Sequence, residues 1–122
     1  METSIKLDPK TGITCVKTSG EADAASSGGM IGPIVAFMRQ HSSLRCLIDH
    51  TDLTIVTGKT IEIYRRPLEM HKSGMPFDVR IAAVIQKAYE HHFSFLETVS
   101  VNNGLSYKVF YDLEEAKAWL LE

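Results

Sequence analysis

Val79-Arg80-Ile81-Ala82-Ala83-Val84-Ile85 is the run that decides the fold. It is nearly continuous in apolar residues, rich in β-branched side chains and too short for an ordinary helix. A strand apolar on both faces needs cover on both, the situation of a parallel sheet with helices packed against it. The flanking sequence supplies those helices. On the carboxyl side, Ala88, His92, Phe95, Leu96 and Val99 recur at helical spacing, and Asn102-Asn103-Gly104 closes that helix. Tyr107 to Tyr111 reads as a further strand. Asp112-Leu113-Glu114-Glu115 then opens a last helix as an aspartate version of the capping box. Leu113, Ala116 and Leu120 form its apolar stripe, and Trp119 is expected to anchor it.

On the amino side the pattern continues. Leu44 to Asp49 reads as a short buried strand. Between 57 and 66 both structures remain open. Thr60-Ile61-Glu62-Ile63-Tyr64 alternates like a strand, whereas Ile61, Tyr64, Leu68 and His71 share one helical face. The length of the segment favours a helix capped by Thr57 or Thr60, disturbed at Pro67 and ended by Gly74 and Pro76. Upstream, a helix is expected from Gly32 to Gln40 with Pro33 in its first turn, preceded by a looser turn at Gly28 and Gly29. Ser4 to Leu7 and Ile13 to Lys17 alternate around the turn residues Asp8-Pro9-Lys10-Thr11-Gly12, predicting an N-terminal β-hairpin. The expected fold class is therefore α/β: a single domain over residues 1–122, a hairpin and then β-α repeats. These would form a mostly parallel five-stranded sheet packed by about four helices.

The 122 residues are 44% hydrophobic and 23% charged, which excludes disorder and low-complexity architectures. A formal charge of -2 provides no basic face for nucleic acid. No apolar run approaches the ~20 residues that span a bilayer, and Met1 to Lys10 lacks a signal-peptide core, so a cytoplasmic protein is expected. Cys15 and Cys46 lie in apolar stretches without C-x-x-C spacing and are read as small hydrophobes. Neither a metal site nor a cofactor is expected.

The chain resembles the STAS domain, the fold of bacterial anti-anti-sigma factors. It is more closely similar to the SpoIIAA-like bacterial proteins, which are structurally akin to CRAL-TRIO lipid-binding domains. The residues carrying the likeness are Leu47-Ile48-Asp49, the run from Val79 to Ile85, and the tail Tyr107-Lys108-Val109-Phe110-Tyr111-Asp112-Leu113-Glu114-Glu115-Ala116-Lys117-Ala118-Trp119-Leu120. It covers nearly the whole chain. Phosphorylatable STAS proteins are similar to one another in an Asp-Ser pair after the Asp49-type strand; here Thr57-Gly58 stands in that place. The resemblance thus implies a regulatory module without the usual phosphosite, although Thr57 or Thr60 could accept a phosphate at a helix start.

Two regions are candidate sites. The first is a polar loop expected after strand 44–49: Asp49, His50, Thr51, Asp52, Thr54, Thr57, Lys59 and Thr60. Loops at the carboxyl ends of parallel strands commonly meet ligands and partners, although these residue types also serve as turn and cap residues. The second is Ser27, Gly28, Gly29, Met30, Ile34, Phe37 and Met38, where glycine backbone could approach a ligand above an apolar pocket. Nucleotide motifs are incomplete in both. Gly58-Lys59-Thr60 ends like a Walker A loop, but Leu53 occupies the place of its first glycine. Ser27 replaces the first glycine of G-x-G-x-x-G, and a gap separates this segment from the strand ending near Thr18. His91-His92 point about 100° apart on a helix and cannot easily share an ion. Ser43, His50 and Asp52 lack a nucleophile elbow. The expected function is a non-catalytic interaction or regulatory module with a protein partner. The alternative is a lipid-binding or small apolar-ligand domain resembling CRAL-TRIO proteins. Self-association as a homodimer would cover open sheet edges.

Overall fold

The computed structural model describes residues 1–57, 60–76 and 78–122, with the side chains of residues 24 and 60 excluded. Its exposed surface, 6750 Å², is close to the roughly 6,600 Å² expected of a compact chain of this mass. The strands are β1 (Glu2–Leu7), β2 (Thr14–Ala22), β3 (Arg45–Val56), β4 (Arg80–Val84) and β5 (Ser106–Phe110). The α-helices are α1 (Ala24–Gly29), α2 (Ile31–Gln40), α3 (Thr60–Lys72), α4 (Glu90–Asn102) and α5 (Leu113–Leu120), with a 3-10 turn at Lys87–Tyr89.

The five strands form one sheet in the order β1-β2-β3-β4-β5. β1 and β2 are the antiparallel hairpin; the other three pairings are parallel. Because successive strands add at the same edge, crossovers of one hand must place their helices on one side. That is the arrangement seen. α2, α3 and α4 bury Val35, Met38, Ile63, Met70, Phe93 and Leu96 against Val16, Ile48, Ile81 and Tyr107 on one face. α5 covers the other face, where Ala116 and Leu120 pack on Leu47, Ala82, Val84 and Phe110. Alternation along β4 distributes Ile81 and Ala83 to the first layer and Ala82 and Val84 to the second.

Local differences from the sequence expectations have physical causes. The turn expected before α2 contains a short helix. Asp23 caps it through a reciprocal box, its carboxylate accepting from the Ser26 amide at 2.8 Å while the Ser26 hydroxyl accepts from the Asp23 amide. At α5 the cap is one-sided, with Asp112 accepting from the Glu114 amide at 2.9 Å. α4 turns Phe93 inward with Leu96, Val99 and Ser100, whereas Ala88 is exposed in the 3-10 turn before the helix. Leu113 is also exposed. Trp119 does anchor α5: Arg80 lies 5.4 Å from its ring centroid and donates to its carbonyl at 2.9 Å. Both cysteines are free thiols.

The largest difference is in β3. It is not a short strand followed by a loop but a twelve-residue strand. Its first half pairs on both sides, from Arg45↔Arg80 to Asp49↔Val84 on the β4 side. Its second half continues beside β2 as far as Ala22↔Val56, past the end of β4. Register shifts in β2 accompany this extension, and Gly20 takes a φ of +84° at one of them, a conformation that glycine adopts without steric cost.

Candidate functional site

The overhanging half of β3 lacks a strand neighbour on the β4 side, so its carbonyls need other donors. Side chains that follow β4 supply them. Gln86 Nε2 donates to the carbonyls of Thr51 and Leu53, the latter at 3.0 Å, and the Tyr89 hydroxyl donates to the Thr54 carbonyl. At the far end the Thr57 amide and hydroxyl both donate to the Ala22 carbonyl, at 2.8 and 3.4 Å. The polar segment is thus an ordered strand, and strand alternation divides its side chains between the two faces.

Asp49 joins a charged cluster with Lys17. Its carboxylate accepts from the Thr51 amide and hydroxyl at 2.9 and 2.6 Å and from Lys17 Nζ at 3.1 Å. Burial acts to raise the Asp49 pKa, but these bonds outweigh it and hold the carboxyl below its ordinary value. Lys17 also contacts Asp52 at 3.2 Å, and hydrogen bonds to the two aspartates raise its own pKa.

His50 points to the opposite layer and is buried. Its Nδ1 lies 2.7 Å from Thr18 Oγ1, which is itself 3.3 Å from the Asp49 carbonyl. Donation from His50 Nδ1–H to the hydroxyl, and from the hydroxyl to that carbonyl, satisfies both contacts. The ring stacks on Phe93 at 4.9 Å. Burial depresses its pKa to about 4, so His50 is neutral at pH 7.

Beside His50 lies a cavity of about 70 Å³ between the sheet and the helical layer. One water needs about 10–15 Å³ by such a measure, so the space exceeds a packing defect. Its wall is mostly apolar, including Ile48, Leu53, Ile63, Met70 and Leu96. Four further polar side chains, Ser27, Arg66, His92 and Tyr107, also line it. Burial, followed by the nearby Arg66 charge, depresses the His92 pKa.

Arg66 reaches the cavity because of the way α3 is rotated. The face carrying Ile61, Tyr64 and Leu68 is turned outward, with exposures of 55%, 63% and 55%. The buried face is Ile63, Arg66, Pro67 and Met70. A helix normally buries its more apolar stripe; α3 leaves it in solvent and buries an arginine. The Arg66 side chain is 10% exposed and contacts Glu69 Oε2 at 3.3 Å. Its Nη1 lies 3.1 Å from where a Cβ on Gly28 would stand, so that glycine leaves room for the guanidinium.

The residues singled out in the sequence therefore separate. Asp49, Thr51 and Asp52 gather around Lys17, His50 lines the cavity, and Thr54 and Thr57 are exposed. Lys59 and the side chain of Thr60 lie outside the described residues. Of the second group, Ser27, Met30 and Ile34 line the cavity. Gly28 borders Arg66, while Gly29 adjoins open space. Phe37 packs on His41 at 4.3 Å and Met38 is buried in the core; neither lines the cavity. The sequence reading missed Arg66, Phe93 and Tyr107, and it treated His92 as a packing residue. The signal for Arg66 was its i+3 spacing from Ile63 and i+4 spacing to Met70. Among the described residues, no group of three or more His, Cys, Asp or Glu is placed to hold a metal ion.

The architecture recurs in solved structures. An anti-sigma factor antagonist from Mycobacterium paratuberculosis superposes with a TM-score of 0.63 at 15% identity, covering 99% of this chain and 96% of that one. A protein of the DUF3478 family with a SpoIIAA-like fold, from Shewanella loihica, gives 0.60 at 16% identity, covering 98% and 92%. The chain has the SpoIIAA-like fold. The anti-sigma factor antagonist SpoIIAA in its unphosphorylated form gives 0.55 at 11% identity, covering 96% and 94%. No protein-family model and no curated protein matches the sequence. In this SpoIIAA-like chain, no helix among the described residues is long and apolar enough to cross a membrane.

Proposed function

We propose that the chain is a non-catalytic regulatory module, acting as one domain in the cytoplasm, that binds a protein partner through the outer face of α3 and the polar end of β3. The observation that carries this reading is the exposed Ile61-Tyr64-Leu68 stripe, whose apolar surface remains in water unless something covers it. Asp52 and Thr54 on β3, and Thr57 just after it, supply polar groups on the approach to that helix. Two of the structural neighbours are, by name, antagonists of anti-sigma factors, so a protein of that regulatory class is the partner favoured here. Thr57, exposed and in the place of the aspartate that precedes the usual phosphosite serine, is the candidate phospho-acceptor, Gly58 in the serine's place having no hydroxyl. Affinity capture from the native cell with wild type and a Tyr64→Lys/Leu68→Lys variant tests the surface. Partners lost in a folded variant support it, and identical or empty partner sets refute it. Light scattering on both proteins reads self-association by the same face.

A second reading, a small-ligand domain, is favoured by the mostly apolar cavity and its buried arginine. Native mass spectrometry of gently purified protein reads it directly. A copurifying mass supports it, and bare protein that also binds no added amphiphile removes it.

A further inference from the structure

The cavity wall has an unbalanced charge. Its described lining residues include Arg66 but no aspartate or glutamate. Glu69, the guanidinium's one acceptor among the described residues, is 46% exposed, so it shares its own charge with solvent. A guanidinium offers five N–H donors, and a buried cation is costly unless paired and hydrogen-bonded. Arg66 thus has a half-exposed partner in Glu69, while the cavity wall it lines holds no carboxylate among the described residues. The rest of the wall suits hydrocarbon: Met30, Ile34, Ile63, Met70, Phe93 and Leu96.

Resting on the small-ligand reading, we infer that the cavity is a binding site for a small amphipathic carboxylate, with Arg66 as the counter-cation to its head group. A planar carboxylate matches the guanidinium fork in a two-bond contact. The about 70 Å³ of space fits a short apolar body rather than a long acyl chain. A dianionic phosphate would bring more negative charge than a single guanidinium balances, because burial disfavours the charged form of both flanking histidines. The exposed Arg65 and the Lys17 cluster lie outside this wall and do not complete the site.

Calorimetric titration of the full chain with butanoate, 1-butanol, butyl phosphate and hexadecanoate tests the assignment. Butanoate is expected to bind about tenfold or more tightly than the alcohol and more tightly than the phosphate or the long-chain acid. Arg66→Met should abolish the preference for butanoate over butanol, and Arg66→Lys should keep part of it. Ile34→Phe, which fills the cavity with Arg66 intact, should weaken both ligands. Urea unfolding of each variant confirms that a folded protein is titrated. Equal binding of butanoate and butanol, or a butanoate preference that survives Arg66→Met, overturns the carboxylate assignment while leaving an apolar-ligand cavity. Tighter binding of the phosphate or the long-chain acid overturns the ligand class. Binding of none of the four overturns both the assignment and the small-ligand reading.

Discussion

Lowering the pH from 7 to 5 should destabilise the fold, and His50 is the group that should cause most of the loss. Its unfolded value is 6.5 and its folded value about 4. Between those limits the unfolded chain binds the proton and the folded chain does not. Stability therefore falls as pH falls through that window, at up to about 1.36 kcal/mol per pH unit. At pH 5 the unfolded imidazole is almost fully protonated and the folded one almost fully neutral, giving a loss of about 2 kcal/mol. The cause is structural: Nδ1 is bonded to Thr18, and the rest of the ring lies against Phe93 and the cavity wall, buried from bulk solvent. His92, shifted in the same direction, adds to the loss. Asp49, whose pKa is lowered, acts only at more acidic pH. Urea unfolding at pH 7 and 5, in wild type and in His50→Asn, reads the difference. Asparagine retains a polar group near the Nδ1 position and does not titrate, so the variant should lose about 2 kcal/mol less over this interval. An equal pH effect in both proteins would refute the placement of His50.

Other consequences are local. Leu120→Ala, at a fully buried position under the sheet, should cost about 2–4 kcal/mol in urea unfolding. An effect below half a kcal/mol would mean that α5 is not docked on that face. Asp112→Ala removes the acceptor for the Glu114 amide and should lower stability by about 1 kcal/mol, with faster amide exchange confined to the first turn of α5. Burial pushes the Cys46 thiol up to about 12 and also raises that of Cys15, which is partly exposed. A disulfide reagent at pH 8 should therefore label Cys15 slowly and Cys46 only after denaturant is added, and rapid labelling of both would contradict the packing of β3. Gly74→Ala places a side chain at a φ of +88° and 2.9 Å from Arg39 Nη1, and should cost about 1–2 kcal/mol, measured by thermal unfolding.

The sheet was legible because its information is local. The Val79–Ile85 run has no polar face to offer water, and Ile81 and Val84 are indeed buried on opposite faces. The alternation of strands and helices then leaves little choice of topology. The candidate site was less legible because its information is not local. Asp49 to Thr54 carries loop-like residue types, yet its backbone is held in a strand by Gln86 and Tyr89, 32 or more residues away in sequence. Alternation then sends His50 and Asp49 to different sides of the sheet. α3 was harder still. Its two possible inner stripes are offset by two residues, and the more apolar one faces out. Nothing within the helix selects Arg66 over Tyr64; the choice follows from how α3 packs with α1, α2 and α4 around the cavity.

The regulatory account rests most directly on the outer face of α3. A photo-crosslinking residue placed at Tyr64 in the native cell, with the similarly exposed Val101 on α4 as control, measures whether that face meets a partner. A partner docked on α3 gives a discrete covalent adduct with another protein from position 64 and none from position 101. No adduct from position 64, or the same products from both positions, would contradict it.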